Sequence, residues 1–161
     1  MKEHEAERLA RRHFERGYRL QQEGRPGHAL REYRRSIALF PTAEAYTFLG
    51  WALSTLGRYE EAIEHCQTAI SLDPDYGNPY NDIGAYLIEL ERWDEAAPWL
   101  RLALSAPNYA ARYYAHYNLG RVHQHYGRYR DARASYRTAL KEEPTFEVAQ
   151  TALMKVTALL N

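Results

Sequence analysis

The sequence has almost no sulfur and no long apolar run. It contains one cysteine, Cys66, in 161 residues, so an internal disulfide is excluded and a reducing compartment is compatible with the composition. No apolar stretch approaches the roughly 18 residues that a membrane-spanning helix needs. The beginning, MKEHEAERLARRHFERG, lacks the apolar core of a signal peptide. These absences predict a cytoplasmic protein with no membrane partner.

The sequence also lacks the motifs of common enzyme sites. It has no glycine-rich phosphate loop, no serine elbow and no zinc-ligand spacing. His116 and His123 lie seven residues apart on one predicted helical face, but their helix supplies no carboxylate, so packing explains them better than a metal does. Cys66 occupies a predicted core position rather than that of a nucleophile. We therefore predict no enzymatic activity, no catalytic residue, no metal and no cofactor.

The formal net charge of zero conceals three segments of different charge. Residues 1–40 carry a net charge of +4, residues 41–100 carry −9, and residues 101–161 carry +5. Because the basic residues are divided between the two ends, the pattern does not favour nucleic-acid binding. An acidic middle between basic ends leaves three alternatives open: association between copies, a basic ligand, or solvated faces without a partner.

Glycines, small residues and prolines recur along the chain at a nearly constant spacing. A glycine recurs with spacings of 33, 34 and 36, at Gly17, Gly50, Gly84 and Gly120. A small residue follows each of these glycines, at Ala29, Ala62, Ala96 and Ala132. A proline closes each copy, at Pro41, Pro74, Pro107 and Pro144. Small residues let two helices joined by a short turn approach closely, so a bulky residue at Gly50 or Ala62 would cost about 1–3 kcal/mol by overpacking.

A period near 34 with these fixed residues resembles the tetratricopeptide repeat, a helix–turn–helix unit. The resemblance implies an all-α fold, a right-handed α-solenoid of four helix–turn–helix repeats and a C-terminal capping helix. We expect one domain over residues 1–161. Its predicted parts are repeats at approximately 10–42, 43–76, 77–112 and 113–146 and a capping helix at 146–160. Two extra residues around Ser105–Arg112 are expected to loosen or rotate the third connection.

In arrays of this family the first helix of each repeat lines a concave groove, so its free face holds the candidate binding residues. Exposed aromatic clusters are typical of partner surfaces, and asparagine amides can donate to and accept from a peptide backbone. The predicted peptide- or protein-binding residues are Phe14, Tyr18, Thr47, Trp51, Asn81, Asp82, Tyr114, Tyr117, Asn118 and Arg121. Asn78 precedes Pro79 and is expected to cap a helix instead.

These observations predict a non-enzymatic scaffold or adaptor that binds a peptide or a partner-protein segment in its groove. Asp82 and Glu44 favour a basic or neutral ligand, although Arg121 can take a carboxylate. The family's lysine-based clamp for a C-terminal carboxylate has no lysine at the matching positions here. The alternative is a self-assembling structural module that associates through its charge-segregated surfaces.

Overall fold

The computed structural model describes residues 2–161, and every regular element in that range is a helix. Its helices are α1 (Glu3–Gln22), α2 (Pro26–Leu39), α3 (Ala43–Thr55), α4 (Tyr59–Leu72), α5 (Asn78–Glu89), α6 (Trp93–Ser105), α7 (Arg112–His125), α8 (Tyr129–Glu142) and α9 (Glu147–Ala158). None of these described helices is both long and apolar enough to cross a membrane.

The first eight helices form four pairs, and α9 packs against α8. We refer to α1, α3, α5 and α7 as the first helices and to α2, α4, α6 and α8 as the second helices. Each second helix packs against its own first helix, and α2, α4 and α6 also pack against the first helix of the next pair. Neighbouring first helices also contact one another, which makes them a continuous layer. The predicted all-α repeat solenoid is confirmed.

The recurring glycine of each first helix packs directly against the second helix of its pair. A Cβ added at Gly120 would stand 2.4 Å from a ring carbon of Tyr136. At Gly50 the added atom would be 3.1 Å from both the carbonyl oxygen of Ala62 and Sγ of Cys66. The predicted close approach of Gly50 and Ala62 is therefore confirmed. Cys66 is fully buried at this contact, as predicted for a core residue.

The turn within each pair places one residue in the left-handed region of backbone space. Gly24, Gly57 and Gly127 have φ values of 72°, 75° and 71°. In the third pair Glu91 takes the same role, with φ of 58°, although a side chain disfavours this conformation. The helix pair forms all the same, because packing along α5 and α6 outweighs this local strain.

The connection between α6 and α7 is anchored, so of the two expected outcomes, loosening or rotation, loosening is wrong. The backbone N–H of Gly77 donates to the Asn108 carbonyl at 2.9 Å, and the N–H of Asn108 donates to the Asp75 carbonyl at 3.0 Å. Tyr109 is buried against Gly77, where an added Cβ would stand 2.3 Å from the tyrosine Cβ. The two extra residues allow the α6–α7 connection to form backbone hydrogen bonds with the α4–α5 connection.

Candidate functional site

A cavity of about 530 Å³ opens on the layer of first helices. We call it the central groove. Its lining residues are Tyr18, Gln22, Thr47, Phe48, Trp51, Asn78, Asn81, Asp82, Ala85, Tyr86, Tyr114 and Asn118. Every one of them belongs to α1, α3, α5 or α7. The groove is therefore lined by first helices, and the second helices pack behind them.

The structure brings seven of the ten predicted binding residues together in the central groove. These seven are Tyr18, Thr47, Trp51, Asn81, Asp82, Tyr114 and Asn118. The other three lie outside it. Phe14 is buried beside two other openings along α1, of about 570 and 480 Å³. Tyr117 and Arg121 line a separate cavity of about 630 Å³ next to α9.

Aromatic rings form two walls of the central groove. On one side, the Phe48 ring contacts Tyr18 and Trp51 edge-on, with centroid distances of 5.8 and 5.7 Å. On the other side, Tyr114 contacts Phe146 at 5.1 Å. Tyr18 and Tyr114 are each 43% exposed, which is high for such large side chains. Their open faces are available to a ligand.

Asn81 and Asn118 line the groove but bind each other. The Asn118 side-chain amide donates to Oδ1 of Asn81 at 3.1 Å, and Asn118 and Asn81 are only 5% and 6% exposed. Thr47 is also buried, and its hydroxyl donates to the Ala43 carbonyl at 2.7 Å. All three polar groups are thus hydrogen-bonded within the protein, and their role in binding stays a prediction. The asparagine pair ties α5 to α7 and fixes the groove wall.

Arg121 already has an acidic partner. Its guanidinium donates to Oε1 of Glu89 at 3.0 Å and reaches Oδ1 of Asn118 at 3.5 Å. The same group lies 6.0 Å from the centroid of the Tyr117 ring. Because its charge is balanced within the protein, Arg121 does not provide the free cation that a ligand carboxylate needs.

Asp82 is the charged residue of the central groove. Its side chain is half-buried, and no residue in the described range 2–161 forms an ion pair with it. Burial raises the pKa of Asp82 from its ordinary value of 3.8 to about 7, while a hydrogen bond from Asn81 opposes that rise. Burial, with a smaller contribution from the Asp82 charge, also raises the pKa values of Tyr86 and Tyr109 above the ordinary 10. The carboxyl therefore changes charge near neutral pH.

Five lining residues are not among the ten predicted binding residues, and they are Gln22, Phe48, Asn78, Ala85 and Tyr86. Asn78 begins α5, whose N-cap is Gly77, and its side chain makes no capping hydrogen bond, so the predicted capping role is wrong. Asn78 and Tyr86 lie four residues before and after Asp82, and Gln22 lies four residues after Tyr18. This helical spacing places them on the same face as their neighbours, and it is the signal that identifies them.

Within residues 2–161, no three His, Cys, Asp or Glu side chains cluster in a way that could hold a metal ion. His116 lies 3.6 Å from Glu142 of α8, and burial lowers its pKa. Burial also raises the pKa of the Cys66 thiol well above its ordinary value, so the sulfur is held as the neutral thiol.

Two family models, each described as the tetratricopeptide repeat, match residues 43–76 and 113–146. Similar solved structures include pilF from Pseudomonas aeruginosa, with 20% sequence identity and a TM-score of 0.85 over 94% of this chain and 68% of that chain. A thermophilic TPR protein from Thermus thermophilus has 25% identity and a TM-score of 0.82 over 94% and 83% of the two chains. A MamA fragment from Desulfovibrio magneticus has 21% identity and a TM-score of 0.69 over 94% of each.

Proposed function

Because the chain belongs to the tetratricopeptide repeat family, whose members generally act as non-enzymatic scaffolds for protein–protein interaction, we propose that it binds a partner segment in the central groove. The observation that carries this proposal is the groove itself. A cavity of about 530 Å³ is lined only by first helices and is flanked by two tyrosines that are each 43% exposed. Exposed aromatic rings around a cavity are typical of partner-binding surfaces.

The bound segment is a peptide or an extended or helical part of a protein. Tyr18, Trp51 and Tyr114 contact its apolar side chains from the two aromatic walls. Asn78 is half-buried and its amide is not used in capping, so it is the amide best placed to bind the ligand backbone. Modest peptide interfaces typically bind with micromolar affinity, about −8 kcal/mol, and we expect the same here.

Two polar contacts between α5 and α7 fix one wall of the central groove. The Asn118–Asn81 hydrogen bond and the Arg121–Glu89 ion pair both connect α5 to α7, so two of the four groove helices are held in register. A wall that is already ordered loses less conformational freedom on binding. The buried asparagines thus support binding indirectly, by fixing the helices that carry Asp82 and Tyr114.

A display library of random peptides, selected on the purified protein, tests this proposal. A selected peptide is then titrated against the wild type and a Trp51→Ala, Tyr114→Ala double variant. Loss of two aromatic contacts at the centre of an interface is expected to weaken binding at least tenfold. Leu102→Ala is the matched control, because Leu102 is an apolar side chain, 49% exposed, on the second helix α6. Equal binding by the wild type and the double variant would refute groove binding.

The charge distribution favours a second candidate, self-association as a structural module. Residues 41–100 carry a net charge of −9 between flanking segments of +4 and +5, so copies can attract one another through unlike segments. Light scattering at low and high salt separates the two candidates. Oligomers that dissociate above about 0.5 M salt support self-association through charge, because at that concentration exposed charges attract one another over only a few ångströms. A monomer at every salt concentration removes it.

A further inference from the structure

The acidic side chains near the central groove differ in whether the protein supplies them with a cation. Oε2 of Glu44 accepts a hydrogen bond from Arg11 at 3.4 Å, and Oε1 of Glu89 accepts one from Arg121 at 3.0 Å. Asp82 lines the groove, yet in the described range 2–161 it has no such partner. An acidic group that is partly removed from water is stabilised most by a positive charge placed against it.

The surroundings of Asp82 suit a cation in a second way. Aromatic side chains line the same cavity, and they are Tyr18, Phe48, Trp51, Tyr86 and Tyr114. The faces of aromatic rings carry partial negative charge and attract ammonium and guanidinium groups. The groove also lies mostly on the segment 41–100, whose net charge is −9. Carboxylate, rings and overall charge therefore all complement a positive group.

We propose that the central groove recognises its partner through one basic side chain, a lysine or an arginine, whose charge Asp82 balances. This inference rests on the proposed function, since it specifies the chemistry of the segment that the groove holds. The aliphatic stem of the basic residue packs between the aromatic walls, and its charged end reaches the carboxylate of Asp82. The unpaired acid is thus the specificity determinant of the groove.

Binding of such a segment depends on pH through Asp82. The Asp82 charge helps to raise the pKa values of four ionisable groups, Cys66, Tyr76, Tyr86 and Tyr109. Burial is the larger cause of the rise, and all four groups are neutral at pH 6–8. The pKa of Asp82 is raised to about 7, so its ionised fraction rises about tenfold from pH 6 to pH 8. A basic ligand binds the ionised form and releases a proton.

Peptides selected on the wild type at pH 8 provide the test. Each arginine of a selected peptide is replaced by citrulline, and each lysine by acetyl-lysine, which keeps the shape and removes the charge. We expect one replacement to weaken binding to the wild type at least tenfold and binding to Asp82→Asn less than twofold. Asp131→Asn, the same substitution at an exposed site on α8, is expected to behave as the wild type.

A measurement on the wild type alone checks the inference without any variant. Its affinity for the selected peptide is expected to rise about tenfold from pH 6 to pH 8, and its affinity for the neutralised peptide is expected to stay constant. Selected peptides that need Trp51 but bind equally well after neutralisation would overturn the basic-residue inference and leave groove binding intact. Peptides that bind independently of Trp51 would instead overturn the proposed function.

Discussion

The Asp82 carboxyl makes the stability of the folded protein depend on pH, and Asp82→Asn is expected to remove that dependence. The carboxyl holds its proton more tightly in the folded state, where burial raises the pKa to about 7, than in the unfolded chain, where the ordinary value is 3.8. Between these values the folded state binds more protons than the unfolded state. Raising the pH through this window therefore lowers the free energy of unfolding, and the loss is complete above about pH 7.

The size of the effect follows from the two pKa values. Each pKa unit corresponds to about 1.4 kcal/mol, so the full rise from 3.8 to about 7 amounts to about 4 kcal/mol. We therefore expect the wild type to lose about 3–4 kcal/mol of unfolding free energy between pH 4 and pH 8 relative to Asp82→Asn.

Urea denaturation followed by circular dichroism at pH 4, 5, 6, 7 and 8 measures this difference. The quantity compared is the change in unfolding free energy with pH, because the substitution also alters the hydrogen bond to Asn81 by a constant amount. Asp131→Asn is the control, since an exposed aspartate on α8 should leave the pH profile of the wild type unchanged. Parallel pH profiles for the wild type and Asp82→Asn would refute the reasoning.

Four substitutions that introduce or remove a glycine test the account of the helix pairs, with thermal denaturation as the measurement. Glu91→Gly is expected to stabilise the protein by about 0.5–1 kcal/mol, because φ of 58° suits glycine, and an unchanged or lower Tm would contradict this. Gly57→Ala, at φ of 75°, should destabilise it by about 1–2 kcal/mol, whereas Gly27→Ala, inside α2 with open space around it, should be neutral or stabilising. Gly120→Ala should cost about 1–3 kcal/mol, because the added Cβ would stand 2.4 Å from a ring carbon; full stability would show that the ring moves freely.

Repeated local rules made the fold predictable from the sequence. Each copy places glycine where two helices meet, as the contact of Gly50 with Ala62 and Cys66 illustrates. Each copy also ends in a proline that stops the second helix. The third copy has Glu91 where the other three copies have a turn glycine. The other three copies still predict a helix pair at this position. The repeat boundaries themselves remain predictions.

The site could be predicted less completely, because it depends on contacts between distant residues. Helical spacing puts Trp51 and Asp82 on the free faces of their helices, and both line the central groove. Spacing cannot show that Asn118 donates to Asn81, 37 residues earlier in the chain. Nor can it show that Arg121 pairs with Glu89, 32 residues earlier. Such pairings are decided by how neighbouring repeats are oriented, which a single helix pattern does not encode.

The central claim is that partners bind on the first helices, in the central groove. The most direct test is a two-dimensional amide NMR titration of the isotope-labelled protein with a peptide from the display selection. We predict that the largest chemical-shift changes occur at groove residues, which include Tyr18, Trp51, Asp82, Tyr86 and Tyr114. Changes confined to the second helices α4, α6 and α8, with the groove residues unmoved, would contradict the account.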